Sequence, residues 1–71
     1  MEFKPEKIKE LRTRDGLSLG TMKRLLAARC NYKVSRATIS CWERGLAEPG
    51  IKTLIVLCQF FEVEPNYFFS R

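Results

Sequence analysis

Histidine is absent from this sequence of 71 residues, and acidic residues number only 8. Histidine and paired carboxylates carry out most general acid–base catalysis, and no two carboxylates here have the spacing of a catalytic pair. No glycine-rich phosphate loop follows a strand pattern either. We therefore expect a protein that is not an enzyme and has no small-molecule substrate.

Cysteine is also scarce, with Cys30, Cys41 and Cys58 widely separated. Three such cysteines without a histidine favour neither a disulfide framework nor a zinc site, so no metal or cofactor is expected. Free thiols are typical of a reducing cytoplasm. No apolar run reaches the roughly 18 residues of a membrane span, and the charged N-terminus is unlike a signal peptide. The sequence thus predicts a cytoplasmic protein without a membrane segment.

Positive charge is concentrated in the first part of the chain, which has a net charge of +5. Residues 1–44 contain 11 Lys and Arg against 5 Asp and Glu, whereas residues 45–71 contain 2 against 3. This asymmetry indicates one face for a polyanion and another for packing, although a merely soluble basic surface gives the same count. A chain of this length forms one domain, here residues 1–71.

The stretch from residue 34 to residue 45 has the pattern of a short amphipathic helix. Ser35 is a typical N-cap, and Gly45 is typical of the left-handed residue that ends a helix. Ile39 and Trp42, three residues apart, face inward, so Trp42 is expected in the core. The outer face is a row of short side chains between two arginines: Arg36, Ala37, Ser40, Cys41 and Arg44. A flat, basic helix face of this kind suits a DNA groove.

Similar signals divide the rest of the chain. Helix starts are indicated by Pro5, Ser18 and Pro65, and helix ends by Gly16 and Asn31. A wide apolar pattern runs from residue 51 to residue 61. Together these signals predict an all-α fold without strands, with five helices at roughly residues 5–15, 18–30, 35–44, 51–61 and 65–69.

The segment VSRATISCWERG resembles the recognition helix of phage repressor/Cro-like (Xre-type) helix-turn-helix proteins. The resemblance extends upstream through residues 8–12 and 16–18, and downstream through Pro49, residues 54–58, Phe61, Val63 and residues 68–69. It implies a five-helix lambda-repressor-like domain that binds double-stranded DNA. By the same resemblance, Arg12 and Glu43 form a partly buried ion pair that fixes the recognition helix to the scaffold; the alternative is two unrelated surface charges.

The sequence departs from the family between Ser18 and Ser35, which are 17 residues apart. This spacing is several residues longer than in the tight bacterial motif and is similar to that of POU-specific domains. The angle between the second and third helices is therefore left open. Leu19 also stands where the family often has a phosphate-contacting glutamine, so that role is not transferred.

The recognition helix provides the candidate base contacts Arg36, Ala37, Ser40 and Cys41. Arginine binds guanine O6 and N7 in a bidentate manner, whereas Ala37 and Cys41 are suited to a thymine methyl group. For Arg36 a phosphate contact remains the alternative, and for Cys41 a redox-sensitive thiol. The expected phosphate contacts are Ser18, Lys23, Arg24, Arg29, Lys33, Ser35, Thr38 and Arg44.

Apolar residues of the last two helices predict a homodimer interface formed by Val56, Phe60, Tyr67 and Phe69. The alternative is that the fifth helix buries Phe60 within one chain.

Two functions are consistent with the sequence. The first is a dimeric, sequence-specific transcriptional regulator of the repressor/Cro type with helix 35–44 in the major groove. The second is a protein-interaction adaptor, antirepressor or antitoxin-like, that uses the apolar surface of helices four and five.

Overall fold

The computed structural model describes residues 2–70, and most of them lie in four α-helices. The helices are α1 (Glu6–Arg14), α2 (Leu19–Cys30), α3 (Arg36–Glu43) and α4 (Ile51–Phe61). A 3₁₀ helix follows at Pro65–Phe68, and two short strands, β1 (Glu2–Phe3) and β2 (Phe69–Ser70), stand at the two ends. The predicted limits of the first four helices agree with the structure to within one residue at each end.

A fifth α-helix is not confirmed, and the expected absence of strands is wrong. Residues 65–68 form a single 3₁₀ turn, after which Phe69 adopts an extended backbone conformation with φ −121° and ψ 147°. Phe69 then pairs with Phe3, and Ser70 with Glu2, in an antiparallel ladder. A strand of two residues is too short to produce the alternating pattern by which a strand is identified from sequence.

The predicted helix boundaries follow from local chemistry that the structure confirms. The Oγ atoms of Ser18 and Ser35 accept hydrogen bonds from the backbone N–H groups of Thr21 and Thr38, each at 3.1 Å. These bonds satisfy two donors that the first turns of α2 and α3 leave free. At the other end of α2, Asn31 is left-handed with φ 51°, a conformation that asparagine tolerates better than most residues.

The core lies where α3 packs against both α1 and α2, and where α4 packs against α2. Ile8 and Leu11 from α1, and Met22 and Leu26 from α2, are fully or almost fully buried. Trp42 is only 5% exposed, which confirms that it belongs to the core. Because Ile39 and Trp42 anchor one side of α3, the opposite side of this helix is fixed toward solvent.

Phe60 is in the core, which corrects the expectation that it lies on an exposed patch. Its side chain is only 9% exposed, and its ring packs edge-to-face on Phe61 with 4.9 Å between the ring centroids. The Arg29 guanidinium also lies over the Phe60 ring, 5.8 Å from its centroid. The exposed apolar residues of α4 are instead Ile51 and Ile55, at 75% and 50%.

Candidate nucleic-acid interface

The outer face of α3 presents the predicted base-contacting residues in one row. Arg36 and Ala37 are exposed at the head of the helix, and Ser40 and Cys41 follow one turn later, half-buried. Arg44 is exposed just after the last helical residue. The face is therefore flat in its middle and carries a cation at each end, as a helix needs for close approach to base edges.

A shallow cleft of about 600 Å³ lies between the beginnings of α2 and α3. Its lining contains three of the four predicted base contacts together with an expected phosphate contact; the residues are Arg12, Ser18, Leu19, Gly20, Arg36, Ala37 and Ser40. Both helix N-termini therefore border one depression. Their backbone N–H groups and positive dipole ends favour an anion there.

A second cleft, of about 540 Å³, adjoins the first. It lies along α2 and the connection that leads to α3, and its lining residues are Gly20, Lys23, Arg24, Ala27, Lys33, Val34 and Arg36. Four of these seven side chains are cationic, and none is acidic. Positive charge that lines a concave surface raises the local concentration of an anion. We call this the basic cleft.

Arg36 is shared by the two clefts. A Cβ atom added at Gly20 would lie 3.6 Å from the Cδ atom of Arg36, so the aliphatic part of the arginine runs along the start of α2. The guanidinium is thereby brought between the cleft at the helix starts and the basic cleft. Lys23, Arg24 and Lys33, which are expected to contact phosphates, are assembled on one side of it.

Arg29 does not join this group. It lies nine residues beyond Gly20 on α2, which is about 180° around the helix axis. Its guanidinium covers the ring of Phe60 instead. This contact gives Arg29 a packing role, and the expected phosphate contact of Arg29 stays a prediction.

Arg12 and Glu43 form a bidentate ion pair between α1 and α3. The Arg12 Nε atom donates to one carboxylate oxygen at 2.7 Å, and a terminal guanidinium nitrogen donates to the other at 3.1 Å. The side chains are only 15% and 7% exposed. Hydrogen bonding to Glu43 raises the pKa of Arg12, since it favours the charged form more strongly than burial opposes it.

The same guanidinium makes a third contact that the sequence did not predict. It donates to the backbone carbonyl oxygen of Leu17 at 2.8 Å. Leu17 immediately precedes the cap of α2, so Arg12 joins α1, the start of α2 and the end of α3. One side chain therefore fixes the relative positions of the two helices that border the clefts.

A further unpredicted contact holds the connection between α2 and α3. The hydroxyl of Tyr32 is hydrogen-bonded to the hydroxyl of Thr53, which is buried on α4. The only signal in the sequence is an aromatic residue with a polar end inside a short connection whose other residues, except Val34, are polar. Tyrosine with this surrounding usually buries its ring and needs a partner for its hydroxyl.

The three cysteines are free thiols that differ in burial. Cys30 and Cys41 are half-buried, and Cys58 is buried. Burial raises the pKa of the Cys58 thiol, which keeps it protonated and unreactive at neutral pH.

Within residues 2–70, no helix has both the length and the apolar character that a bilayer crossing needs.

Two capped helices at a fixed angle, with an exposed basic face on the second of them, define a helix-turn-helix DNA-binding protein. The sequence profile of the helix-turn-helix family matches residues 8–68. The chain therefore belongs to the Cro/C1-type helix-turn-helix family. Proteins of this family bind double-stranded DNA, and a function in transcriptional regulation follows for this chain.

The fold is similar to that of the restriction-modification controller protein C.AhdI from Aeromonas hydrophila. The TM-score is 0.70 and the sequence identity 28%, with 92% of this chain and 89% of that chain covered. Comparison with curated protein sequences finds no match.

Proposed function

We propose that the protein is a dimeric, sequence-specific transcriptional regulator of the repressor/Cro type that inserts α3 into the major groove. The observation that carries this proposal is the continuity of the outer face of α3 with two clefts that share Arg36. Contacts to the flanking phosphates fix the register and orientation in which a helix face meets the base edges. The cations of the basic cleft are suited to hold those phosphates.

The roles within this surface differ by position. Arg36, Ala37, Ser40 and Cys41 are proposed to face base pairs, because they lie on the side of α3 opposite to its buried residues. Lys23, Arg24 and Lys33 are proposed to contact phosphates beside the groove. Regulation then follows from occupancy of an operator, without any chemical step.

A dimer would use the exposed side of α4. Ile51 and Ile55 are about 40° apart around the helix axis, and both point to solvent. Val56 flanks them and is half-buried. Such apolar exposure commonly marks an interface.

A two-fold dimer would place two α3 helices in half-sites about one DNA turn, roughly 34 Å, apart. The buried Phe60 takes no part, so the interface proposed from sequence moves along α4 by about a turn.

The adaptor hypothesis has less support. It relies on a broad apolar surface over the end of α4 and the 3₁₀ turn, and the central residue of that surface, Phe60, is buried. It also leaves the basic cleft without a role. The experiment that separates the two functions is an electrophoretic mobility shift of the protein on random duplexes at low and moderate salt.

Replacing Arg36 with alanine tests base readout. We expect the difference in binding free energy between operator and random DNA to fall by about 1–3 kcal/mol, the value of a bidentate arginine–guanine contact. The measurement is competition binding with a selected operator and with random duplex. An unchanged ratio would show that Arg36 binds phosphate and not a base.

Replacing Lys33 with alanine tests the basic cleft. Affinity for operator and random DNA should decrease equally, and the slope of log affinity against log salt should become shallower by about one unit. Arg29→Ala is the matched control, since Arg29 is exposed but lies on the other side of α2. Equal salt slopes for the two variants would remove Lys33 from the interface.

A further inference from the structure

From residue 32 to residue 35, the connection between α2 and α3 has side chains that alternate between half-buried and exposed, as they do in an extended chain. Tyr32 and Val34 are half-buried and pack against the core, whereas Asn31, Lys33 and Ser35 are exposed. In an extended chain, successive side chains point in opposite directions. The direction of Lys33 is therefore determined by how deeply its neighbours Tyr32 and Val34 are held.

Tyr32 is held at both ends. Its backbone N–H donates to the carbonyl oxygen of Leu26 at 3.2 Å, which closes the left-handed end of α2. Its hydroxyl is hydrogen-bonded to Thr53 on α4. Thr53 is 8% exposed and is a buried polar residue of the α4 surface that faces inward. The connection is thus fastened to a helix that takes no part in either cleft.

We propose that Tyr32 is a positioning residue for DNA binding, which acts by holding Lys33 toward the basic cleft. This inference rests on the proposed function. Lys33 and Val34 line the basic cleft directly after Tyr32. Without the hydrogen bond between Tyr32 and Thr53, the connection between α2 and α3 can rotate. Lys33 then no longer points toward the phosphate that the basic cleft is proposed to bind.

The test removes the hydrogen bond without leaving a buried group unpaired. In the double variant Tyr32→Phe/Thr53→Val both hydroxyls are replaced by apolar groups of similar shape, and such paired replacement is close to neutral for stability. Thermal melting monitored by circular dichroism should therefore be almost unchanged. The salt slope of DNA binding should become shallower by about one unit, the same change that is expected for Lys33→Ala. The affinity loss is then about fourfold larger at 50 mM than at 200 mM salt.

The decisive comparison places the double variant in a Lys33→Ala background. If Tyr32 acts through Lys33, the three substitutions together should give the same salt slope and nearly the same affinity as Lys33→Ala alone. Additive losses, or a double variant that binds DNA like the unmodified protein, would overturn the inference. Unfolding of the double variant would also overturn it, because the hydrogen bond would then be required for the fold as a whole. A Lys33→Ala variant that binds normally contradicts the proposed DNA interface, which is a different failure.

Discussion

Replacing Glu43 with alanine is expected to reduce the free energy of unfolding by about 3 kcal/mol, the lower end of the range for removing one partner of a buried ion pair. The Arg12 side chain is only 15% exposed, and its guanidinium would lose two charge-assisted hydrogen bonds at once. Domains of this size change their melting temperature by roughly 4–8 °C per kcal/mol. We therefore expect a decrease of about 12–24 °C, measured by thermal unfolding.

A double-mutant cycle separates the ion pair from other effects of the substitution. Arg12→Ala/Glu43→Ala should recover part of the loss, since neither charge is then left alone in a buried site. Glu43→Gln keeps a hydrogen-bond acceptor near Arg12 but removes the charge, so its effect should be intermediate. Arg14→Ala is the surface control, because its partner Asp15 is exposed and adjacent in sequence. A coupling energy near zero between Arg12 and Glu43 would contradict the role proposed for the pair.

The ion pair also links stability to DNA binding. Arg12 lies in the lining of the cleft at the starts of α2 and α3, and it contacts both the end of α3 and the residue before the cap of α2. Its loss should therefore loosen the angle between the two helices as well as lower stability. DNA binding of the Glu43→Ala protein, measured well below its melting temperature, should be weaker for that reason.

The elements that the sequence predicted well are those determined by neighbouring residues. Serine caps at 18 and 35 and the left-handed residues Asn31 and Gly45 act over one helical turn, so their effect can be derived from short segments. The inward position of Trp42 follows from its spacing to Ile39 for the same reason. The family resemblance added the pairing of Arg12 with Glu43, which are 31 residues apart and which no local pattern connects.

The elements that were missed depend on contacts between distant segments. The pairing of β1 with β2 joins opposite ends of the chain, and the Tyr32–Thr53 hydrogen bond joins a connection to a helix 21 residues away. Phe60 was placed on the wrong side of α4 for a similar reason. All the apolar positions of that helix look alike in sequence, whereas in the fold Phe60 packs on Phe61 beneath the Arg29 guanidinium and Ile55 faces solvent.

Replacing Ile55 with aspartate is expected to abolish cooperative binding to an operator with two half-sites. In the proposed dimer, binding of one subunit raises the effective concentration of the other, a gain of about 10²–10⁴ over a single half-site. A buried carboxylate at the two-fold interface would remove this gain, since an unpaired charge is costly to desolvate. Because Ile55 is 50% exposed in the single chain, helicity and melting temperature should change little. The measurements are mobility shifts on one and on two half-sites, together with the circular dichroism of the free protein.

Two controls make this result specific to the exposed isoleucines. Gln59→Asp introduces the same charge one turn further along the exposed side of α4 and should retain most of the cooperativity, since Gln59 is already polar and solvated. Phe60→Asp should unfold the protein, because a carboxylate would enter the core beneath Arg29. If the Phe60→Asp protein folds but has lost its cooperativity, the result would support the interface around Phe60 that the sequence predicts. Full cooperativity of Ile55→Asp would exclude the exposed side of α4 as the dimer contact, and the two α3 helices would then have to be paired through another surface.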